Sequence, residues 1–315
     1  MRKFAKAMVP LLAVVSTACF AQSEVTIYGR VDLGYVKDVG SSVKTLRDGA
    51  TSMLGFRGAE DLGGGLSVFF DLDHRFNADS GSLYSTAGRF WHGRSVVGVK
   101  APIGQLTLGH EYTASALYSQ LMADPWGWFY VPGGSGYSIT GLEIARLRND
   151  GAVSLSSSAG GFAGGIQVAQ GKGPIETFKR NPHNIGVMYS GGPVTVGFGY
   201  EVTGVRAAAT EKVWTAAGSY DLKVLKVSAM LGKGTTAADV EHKSWMVSST
   251  APLGSGELRV AYGELKKGAV KSHQTLSAGY FYSLSKRTQL YADFSRNAKL
   301  PSDKAGYDLG LSHNF

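Results

Sequence analysis

Short segments in which apolar and polar residues alternate recur along the whole chain, and they constrain the fold more than any other feature. Because the side chains of a strand point alternately to its two faces, each such segment has one apolar and one polar face. The first, 24–36, places Val25, Ile27 and Leu33 opposite Thr26 and Asp32. The others lie at about 51–60, 66–77, 88–100, 105–112, 145–157, 161–170, 183–190, 194–202, 212–221, 223–232, 242–250, 257–265, 273–283, 288–297 and 305–315. The pattern predicts an all-β fold, a single domain of sixteen antiparallel strands.

The connections between these segments alternate in length. Tight connections are centred near residues 63, 102, 159, 191, 222, 254 and 285, and longer ones near 42, 80, 173, 205, 237, 268 and 301. An up-and-down barrel of the outer membrane has short turns at one end and long loops at the other. A soluble sandwich has no reason to alternate in this way. The order of connections therefore favours a transmembrane β-barrel.

The last segment, 305–315, ends on an aromatic residue. Tyr307, Leu309, Leu311 and Phe315 share one face of the predicted strand. On its own this segment fits two structures, the amphipathic last strand of a soluble sandwich and the closing strand of an outer-membrane barrel. Together with the alternating connections, it predicts that the sixteenth strand pairs with the first and closes the wall.

Residues 1–21 have the pattern of a secretory signal peptide. Three cations, Arg2, Lys3 and Lys6, precede an apolar run that is too short to span a bilayer as a helix. We expect cleavage after Ala21, so that the barrel domain comprises residues 22–315. A lipoprotein signal around Cys19 is the weaker alternative, because Ser16 stands where Leu or Val is wanted.

Cysteine content and charge narrow the class of protein further. Cys19 is the only cysteine, and it lies in the predicted signal peptide, so no disulfide framework or thiolate metal site is expected. The formal net charge is +8, and removal of the three signal-peptide cations leaves +5. This mild basic balance, interspersed with acids, does not indicate a nucleic-acid partner. We expect no metal and no cofactor, since the histidines show no metal-ligand spacing.

One connection is exceptionally long. From Thr113 to about Ile144 the chain shows no strand signature. A loop of this length inside a compact fold is usually functional. This one is the third long connection and is rich in aromatic residues: Tyr118, Trp126, Trp128, Phe129, Tyr130 and Tyr137.

Over its whole mature length the chain resembles the general porins of beta-proteobacteria. The resemblance rests on four stretches: Val25 to Asp32, Gly55 to Leu66, Leu106 to Gly109 and Leu284 to Tyr291. It implies a sixteen-stranded homotrimeric porin in outer-membrane lipid and lipopolysaccharide, which admits small hydrophilic solutes by passive diffusion. It also implies that the third long loop folds inward and that Phe315 is read by the outer-membrane insertion machinery.

Charged residues on the predicted inner face are the candidates for the pore lining. Strand parity places six arginines inward: Arg30, Arg57, Arg75, Arg94, Arg146 and Arg148. They outnumber the inward acids Asp32, Asp71, Asp73 and Asp150, which predicts a mild preference for anions. By resemblance, Arg94 and Arg148 match basic constriction residues of anion-preferring porins. The chain departs from that pattern at Met53, which weakens the expected selectivity.

The inward loop adds further candidates. Its acids Asp124 and Glu143 could face the constriction. Trp126 and Trp128 have two interpretations: they pack the loop against the wall, or they line the pore and stack on flat solutes. The second would make the protein a substrate-selective porin of the same fold.

Two other classes of function fit less well. An outer-membrane barrel enzyme needs a nucleophile and base close together, and the sequence offers no such cluster, so we expect no catalysis. A soluble secreted binding domain does not require the alternating loops. The sequence therefore predicts a diffusion channel, with a solute-selective channel as the alternative.

Overall fold

The computed structural model describes residues 24–84, 88–170, 180–204 and 211–315. The predicted signal peptide and the predicted loop centres near 173 and 205 lie outside the described residues. The wall strands are β1 (Glu24–Lys37), β2 (Ser52–Gly63), β3 (Leu66–Asn77), β4 (Arg94–Ala101), β5 (Gly104–Tyr112), β6 (Arg148–Ala159), β7 (Phe162–Ala169), β8 (His183–Gly191), β9 (Val194–Val202), β10 (Lys212–Asp221), β11 (Lys226–Thr235), β12 (Glu241–Leu253), β13 (Gly256–Lys267), β14 (Val270–Ser283), β15 (Thr288–Asn297) and β16 (Ala305–Asn314). Each pairs with the next in antiparallel fashion, and β16 pairs with β1. The predicted sixteen-stranded antiparallel barrel is confirmed.

The alternation in sequence places apolar side chains on the outer face of the wall. Ile27 on β1 is 59% exposed and Leu309 on β16 is 52% exposed, whereas the inward neighbours Asp32 and Asp308 are buried. An exposed apolar band around a closed barrel is suited to hydrocarbon, in which every backbone group must be paired within the wall. No helix among the described residues is long and apolar enough to cross a membrane.

The closure of the barrel is staggered. The first half of β1 pairs with β2, from Glu24 opposite Ala59 to Arg30 opposite Met53, and its second half pairs with β16. Phe315 extends this last ladder, because its N–H and carbonyl both bond to Gly29, at 3.1 Å each. The final residue is thus part of the seam, as predicted.

Most predicted connections are confirmed, with two differences. The connection near Gly268 is a two-residue turn rather than a long loop, because β13 and β14 continue their hydrogen bonds to Lys267 and Val270. The predicted strand 88–100 begins only at Arg94, since residues 88–93 form a loop segment. Two short strands, Lys44–Arg47 and Ser82–Leu83, extend the hairpins of the first two long loops.

Residues 113–147, which we call the inward loop, contain a π-helix, Ala116–Gln120, and the helix α1, Tyr130–Thr140. The main buried apolar cluster joins this loop to the wall. From the loop it takes Trp126, Ile139, Leu142, Ile144 and Ala145, and from the wall Val213, Met246, Ala261, Leu265, Phe281 and Tyr291. The hydrophobic core is therefore the interface between the inward loop and one side of the barrel.

Candidate functional site

The inward loop packs against only part of the wall. Its π-helix contacts β8, β9 and β10, and α1 contacts β11 to β16. The inner faces of the earlier strands therefore remain open to the lumen. The channel is narrowed to the gap between the loop and this part of the wall, which we call the eyelet.

The eyelet encloses a cavity of about 510 Å³ whose two sides differ in chemistry. From the loop it is lined by Ala114, Leu117, Tyr118 and Phe129. From the wall it is lined mainly by Tyr28, Arg30, Met53, Asp71, Asp73, Arg75, Arg94, Gln105, Thr107, Glu111, Tyr112, Ser154 and Gln167. One side is thus apolar and aromatic, and the other is charged.

Two buried aspartates hold the loop against the far wall. The indole Nε1–H of Trp126 donates to Asp293 Oδ1 at 2.6 Å, and the Val131 N–H donates to Asp308 Oδ2 at 3.2 Å. Both carboxylates lie on inward positions of β15 and β16, where strand alternation directs them at the loop. A buried polar group that loses its partner costs about 1–3 kcal/mol, so these bonds resist displacement of the loop.

Arg94 is neutralised by carboxylates on the same wall. Its Nη1 lies 2.8 Å from Asp71 Oδ2, and its Nε lies 3.0 Å from Glu111 Oε1. The two carboxylates more than offset the single positive charge of the guanidinium. Arg94 lines the eyelet cavity, but together with its two carboxylates it brings no net positive charge to it.

Arg75 and Arg148 meet at Tyr112. The Arg75 Nη2 lies 3.1 Å from the Tyr112 hydroxyl, and the Arg148 guanidinium lies over the Tyr112 ring at 4.0 Å. Arg75 also pairs with Asp73 at 3.3 Å. Both arginines are buried, and Arg148 lies behind Tyr112 rather than on the cavity surface.

Arg30 has a different environment from the other eyelet arginines. Its Nε and Nη2 donate to the carbonyl of Thr51, at 3.1 and 2.8 Å, and its guanidinium lies 4.8 Å from the centre of the Phe129 ring. Within the described part of the chain, no carboxylate forms an ion pair with it. The nearby Asp32 is engaged by the hydroxyl of Tyr291, at 2.7 Å. Arg30 therefore contributes an uncompensated positive charge.

Two further predicted arginines, like Arg148, do not line the eyelet cavity. Arg57 lines a second, wider cavity of about 1120 Å³ nearer the end of the barrel with short turns, and it contacts the Tyr28 ring at 5.1 Å. Arg146 lies at the end of the inward loop. Its side-chain Nε donates to Asn149 Oδ1 at 3.0 Å, and its backbone N–H donates to Glu201 Oε1 at 3.1 Å. Its placement at the constriction is wrong, because these bonds hold it beside β9.

The loop acids do not face the eyelet either. Asp124 is buried, and its carboxylate accepts the N–H groups of Trp126 and Trp128 at 2.9 and 2.8 Å, so it shapes the loop. Burial raises its pKa to about 7, and these two bonds oppose the rise. Glu143 pairs with Lys267 and His273, which lie on β13 and β14, the side of the barrel against which the loop packs. The prediction that either acid lines the constriction is wrong, because each is used to fix the loop.

The two tryptophans also serve packing. Trp126 is only 3% exposed and lies in the buried cluster. Trp128 donates its indole N–H to Thr140 Oγ1 at 2.7 Å and stacks edge-on against Tyr137, within the loop itself. Of the two alternatives, the structure agrees with packing, and the pore-lining interpretation of these residues is wrong. The aromatic side chains of the inward loop that line the cavity are those of Tyr118 and Phe129.

The sequence prediction did not include Glu111 and Tyr112, which also line the eyelet. Glu111 shares the parity of Gln105 and Thr107 on β5, so alternation was the available signal for it, whereas Tyr112 reaches the cavity from the last position of that strand. Beyond the start of β6, Gly151 has a φ of +55°. There Asp150 turns away to pair with Arg89 and His110. Glycine inside a strand pattern is the available signal for such a bulge.

These features define a class of protein. A closed barrel with an apolar outer face, and with a charged lumen narrowed by an inward loop, is a membrane channel. Among the described residues no three histidine, cysteine or acidic side chains come together as a metal site.

Comparison with known sequences identifies the family. The sequence model of the family described as Gram-negative porin matches residues 8–299. Outer membrane porin protein 32 of Delftia acidovorans is 30% identical over 334 residues, which cover 97% of this chain and 92% of that protein. An outer membrane porin protein of Bordetella pertussis is 25% identical and covers 97% and 98%. The chain belongs to the Gram-negative porin family and is a channel protein of the outer membrane.

Solved structures agree in fold. A structure described as an anion-selective porin from Comamonas acidovorans superposes with a TM-score of 0.73 at 24% identity and covers 93% of this chain and 100% of that one. The trimer form of OmpT, an outer membrane protein of Vibrio cholerae, gives a TM-score of 0.72 at 14% identity, with coverages of 93% and 99%.

Proposed function

We propose that the protein is a passive diffusion channel for small hydrophilic solutes and ions, with a mild preference for anions. The observation that carries the proposal is the charge balance of the eyelet. Three arginines (Arg30, Arg75 and Arg94) and three carboxylates (Asp71, Asp73 and Glu111) line the cavity, and Arg148 behind Tyr112 adds a fourth guanidinium. Arg94 and Arg75 are paired with these carboxylates, whereas Arg30 and Arg148 form no ion pair within the described part of the chain, so the cations exceed the acids by one. Met53 lies opposite Arg30 on the neighbouring strand and contributes no charge. A small positive excess in a narrow, low-dielectric passage raises the local anion concentration modestly. The description of the Comamonas structure as anion-selective supports the same direction.

The reversal potential in a tenfold potassium chloride gradient tests this function. Purified protein in a planar bilayer should give ohmic current steps and a reversal potential on the anion side of zero. Arg30→Gln should move that potential toward zero. The control Lys286→Gln removes the same charge from an exposed turn, and it should leave the potential unchanged. A clearly cation-selective wild type would overturn the preference, and the absence of current steps would overturn the channel itself.

A solute-selective channel of the same fold is the second candidate. The observation in its favour is Phe129, which presents an aromatic ring to the eyelet beside Arg30, an arginine without an ion pair among the described residues. Trp126 and Trp128, the residues predicted for this role, are used for packing and do not support it. The measured permeabilities of solutes of equal charge would separate this candidate from simple sieving.

We also propose that the working unit is a homotrimer, exported with cleavage of residues 1–21 and inserted by the outer-membrane machinery through its last strand. The trimer form of the Vibrio OmpT structure supports the first part. Light scattering of the detergent-solubilised protein measures the oligomer, and a monomeric mass would contradict it. Lipid and lipopolysaccharide are the expected surroundings of the apolar outer face.

A further inference from the structure

Phe129 is held toward the eyelet by an unusual stretch of backbone. Gly127, Trp128 and Tyr130 all have positive φ, at 61°, 67° and 62°. For residues other than glycine this conformation is uncommon and costs free energy, and it persists where surrounding contacts impose it. Hydrogen bonds impose it here. The Asp124 carboxylate accepts the backbone N–H groups of Trp126 and Trp128, and the Tyr130 N–H donates to the Gly49 carbonyl at 2.8 Å. The strained turn fixes the direction of the Phe129 side chain.

Two wall residues complete one surface with this ring. Arg30 lies over Phe129, and Met53 lies opposite Arg30 in the β1–β2 ladder, and all three line the same cavity. Arg30 uses Nε and Nη2 on Thr51, so its Nη1 is the guanidinium nitrogen that has no hydrogen-bond partner within the described part of the chain. The surface therefore combines a guanidinium N–H donor that is available to a solute, from Arg30, with the aromatic ring of Phe129 and the thioether of Met53.

We propose that this surface makes the channel favour small aromatic carboxylates over aliphatic carboxylates of the same size and charge. The inference rests on the proposed channel function and names the solute class that its eyelet selects. The carboxylate would accept from Arg30, whose planar guanidinium suits it. The ring would lie against Phe129, Met53 and the exposed Leu117.

A flat aromatic ring suits this site better than a puckered aliphatic one. Aromatic pairs gain about 0.5–1.5 kcal/mol beyond their area burial, from offset or edge-on contact of their quadrupoles. A methionine sulfur adds a favourable contact with a ring edge. Hydrophilic anions such as chloride gain only the electrostatic part. The same eyelet therefore separates solutes by ring chemistry as well as by charge.

Bi-ionic potentials of the full protein in planar bilayers test the proposal. With potassium chloride on one side, the other side carries potassium benzoate or potassium cyclohexanecarboxylate. Both anions have one carboxylate on a six-membered ring. We expect benzoate to permeate about two- to tenfold better relative to chloride. Equal permeabilities in wild-type channels that conduct chloride would overturn this inference while leaving the channel function intact. A lack of conductance in every salt would instead refute the channel.

Variants locate the preference. Phe129→Leu keeps an apolar side chain and should abolish the preference for benzoate, and Phe129→Tyr should retain it. The control Phe69→Leu makes the same change in the wider cavity outside the eyelet, and it should retain the preference. Arg30→Gln should lower the permeability of both carboxylates. A benzoate preference that survives Phe129→Leu, or that disappears equally in Phe69→Leu, would overturn the assignment to this surface.

Discussion

Trp126→Phe is expected to loosen the inward loop without unfolding the barrel. The substitution keeps an aromatic ring in the buried cluster but removes the indole N–H, which donates to Asp293 at 2.6 Å. Asp293 would then be a buried carboxylate without this donor. Because the remaining strand hydrogen bonds are untouched, the effect should be confined to the loop and its contacts with β14 to β16.

The size of the effect follows from the lost bond. A hydrogen bond to a charged group contributes about 1.5–3 kcal/mol, and part of the loop–wall contact depends on it. A loss of about 2 kcal/mol raises the population of the locally detached loop roughly thirtyfold. Since the attached loop narrows the lumen, detachment widens the eyelet.

Single-channel recording measures this directly. Trp126→Phe should show greater open-channel noise and a higher mean conductance than wild type. Trp128→Phe is the matched control, because its indole N–H bonds to Thr140 within the loop and not to the wall. Equal noise in Trp126→Phe and wild type, or the same increase in the control, would refute the role given to the bond with Asp293.

Further predictions concern the seam and the loop. Gly29→Ala should lower the unfolding temperature in heat-modifiability gels, because a Cβ there would lie 2.4 Å from the Phe315 ring and 2.5 Å from the Met53 carbonyl; an unchanged temperature would contradict this. Deletion of Phe315 should lower outer-membrane yield before it alters conductance, and normal insertion would count against its role. Asp124 has a pKa raised from 3.8 to about 7, so its contribution to stability is present below pH 3.8 and is lost as pH rises through 7. Asp124→Asn should remove this slope from thermal unfolding curves, and an identical slope would exclude Asp124 as its source.

The wall could be predicted from the sequence because lipid and lumen impose opposite requirements on neighbouring residues. Any strand with the pattern of β1 or β16 must point its apolar side outward. Strand ends were less predictable, since the ladder continues past the alternating residues at Lys267 and Val270. There the backbone hydrogen bonds, and not the side chains, decide where the turn begins.

The eyelet was harder to predict, because contacts between distant residues determine it. Trp126 and Phe129 are three positions apart in a loop without periodicity, yet one is buried against Asp293 and the other faces the cavity. Nothing local distinguishes them. Arg94 lies in a regular strand, where alternation fixes which face its side chain takes, whereas the irregularity near Gly151 turns Asp150 away from the face that alternation assigns to it. The compensation of Arg94 by Glu111 depends on the register between β4 and β5, which alternation within one strand does not reveal.

The central claim is that ions pass between Phe129 and the wall of β1 to β6, and chemical modification tests it most directly. The predicted mature chain has no cysteine, so a single cysteine can be introduced without background. Met53→Cys places a thiol in the eyelet, and the adjacent Leu54→Cys places one on the opposite face of β2. A negatively charged methanethiosulfonate should lower the conductance and the anion preference of Met53→Cys and leave Leu54→Cys unchanged. No change at Met53→Cys after confirmed labelling, or equal changes at both positions, would contradict the proposed path.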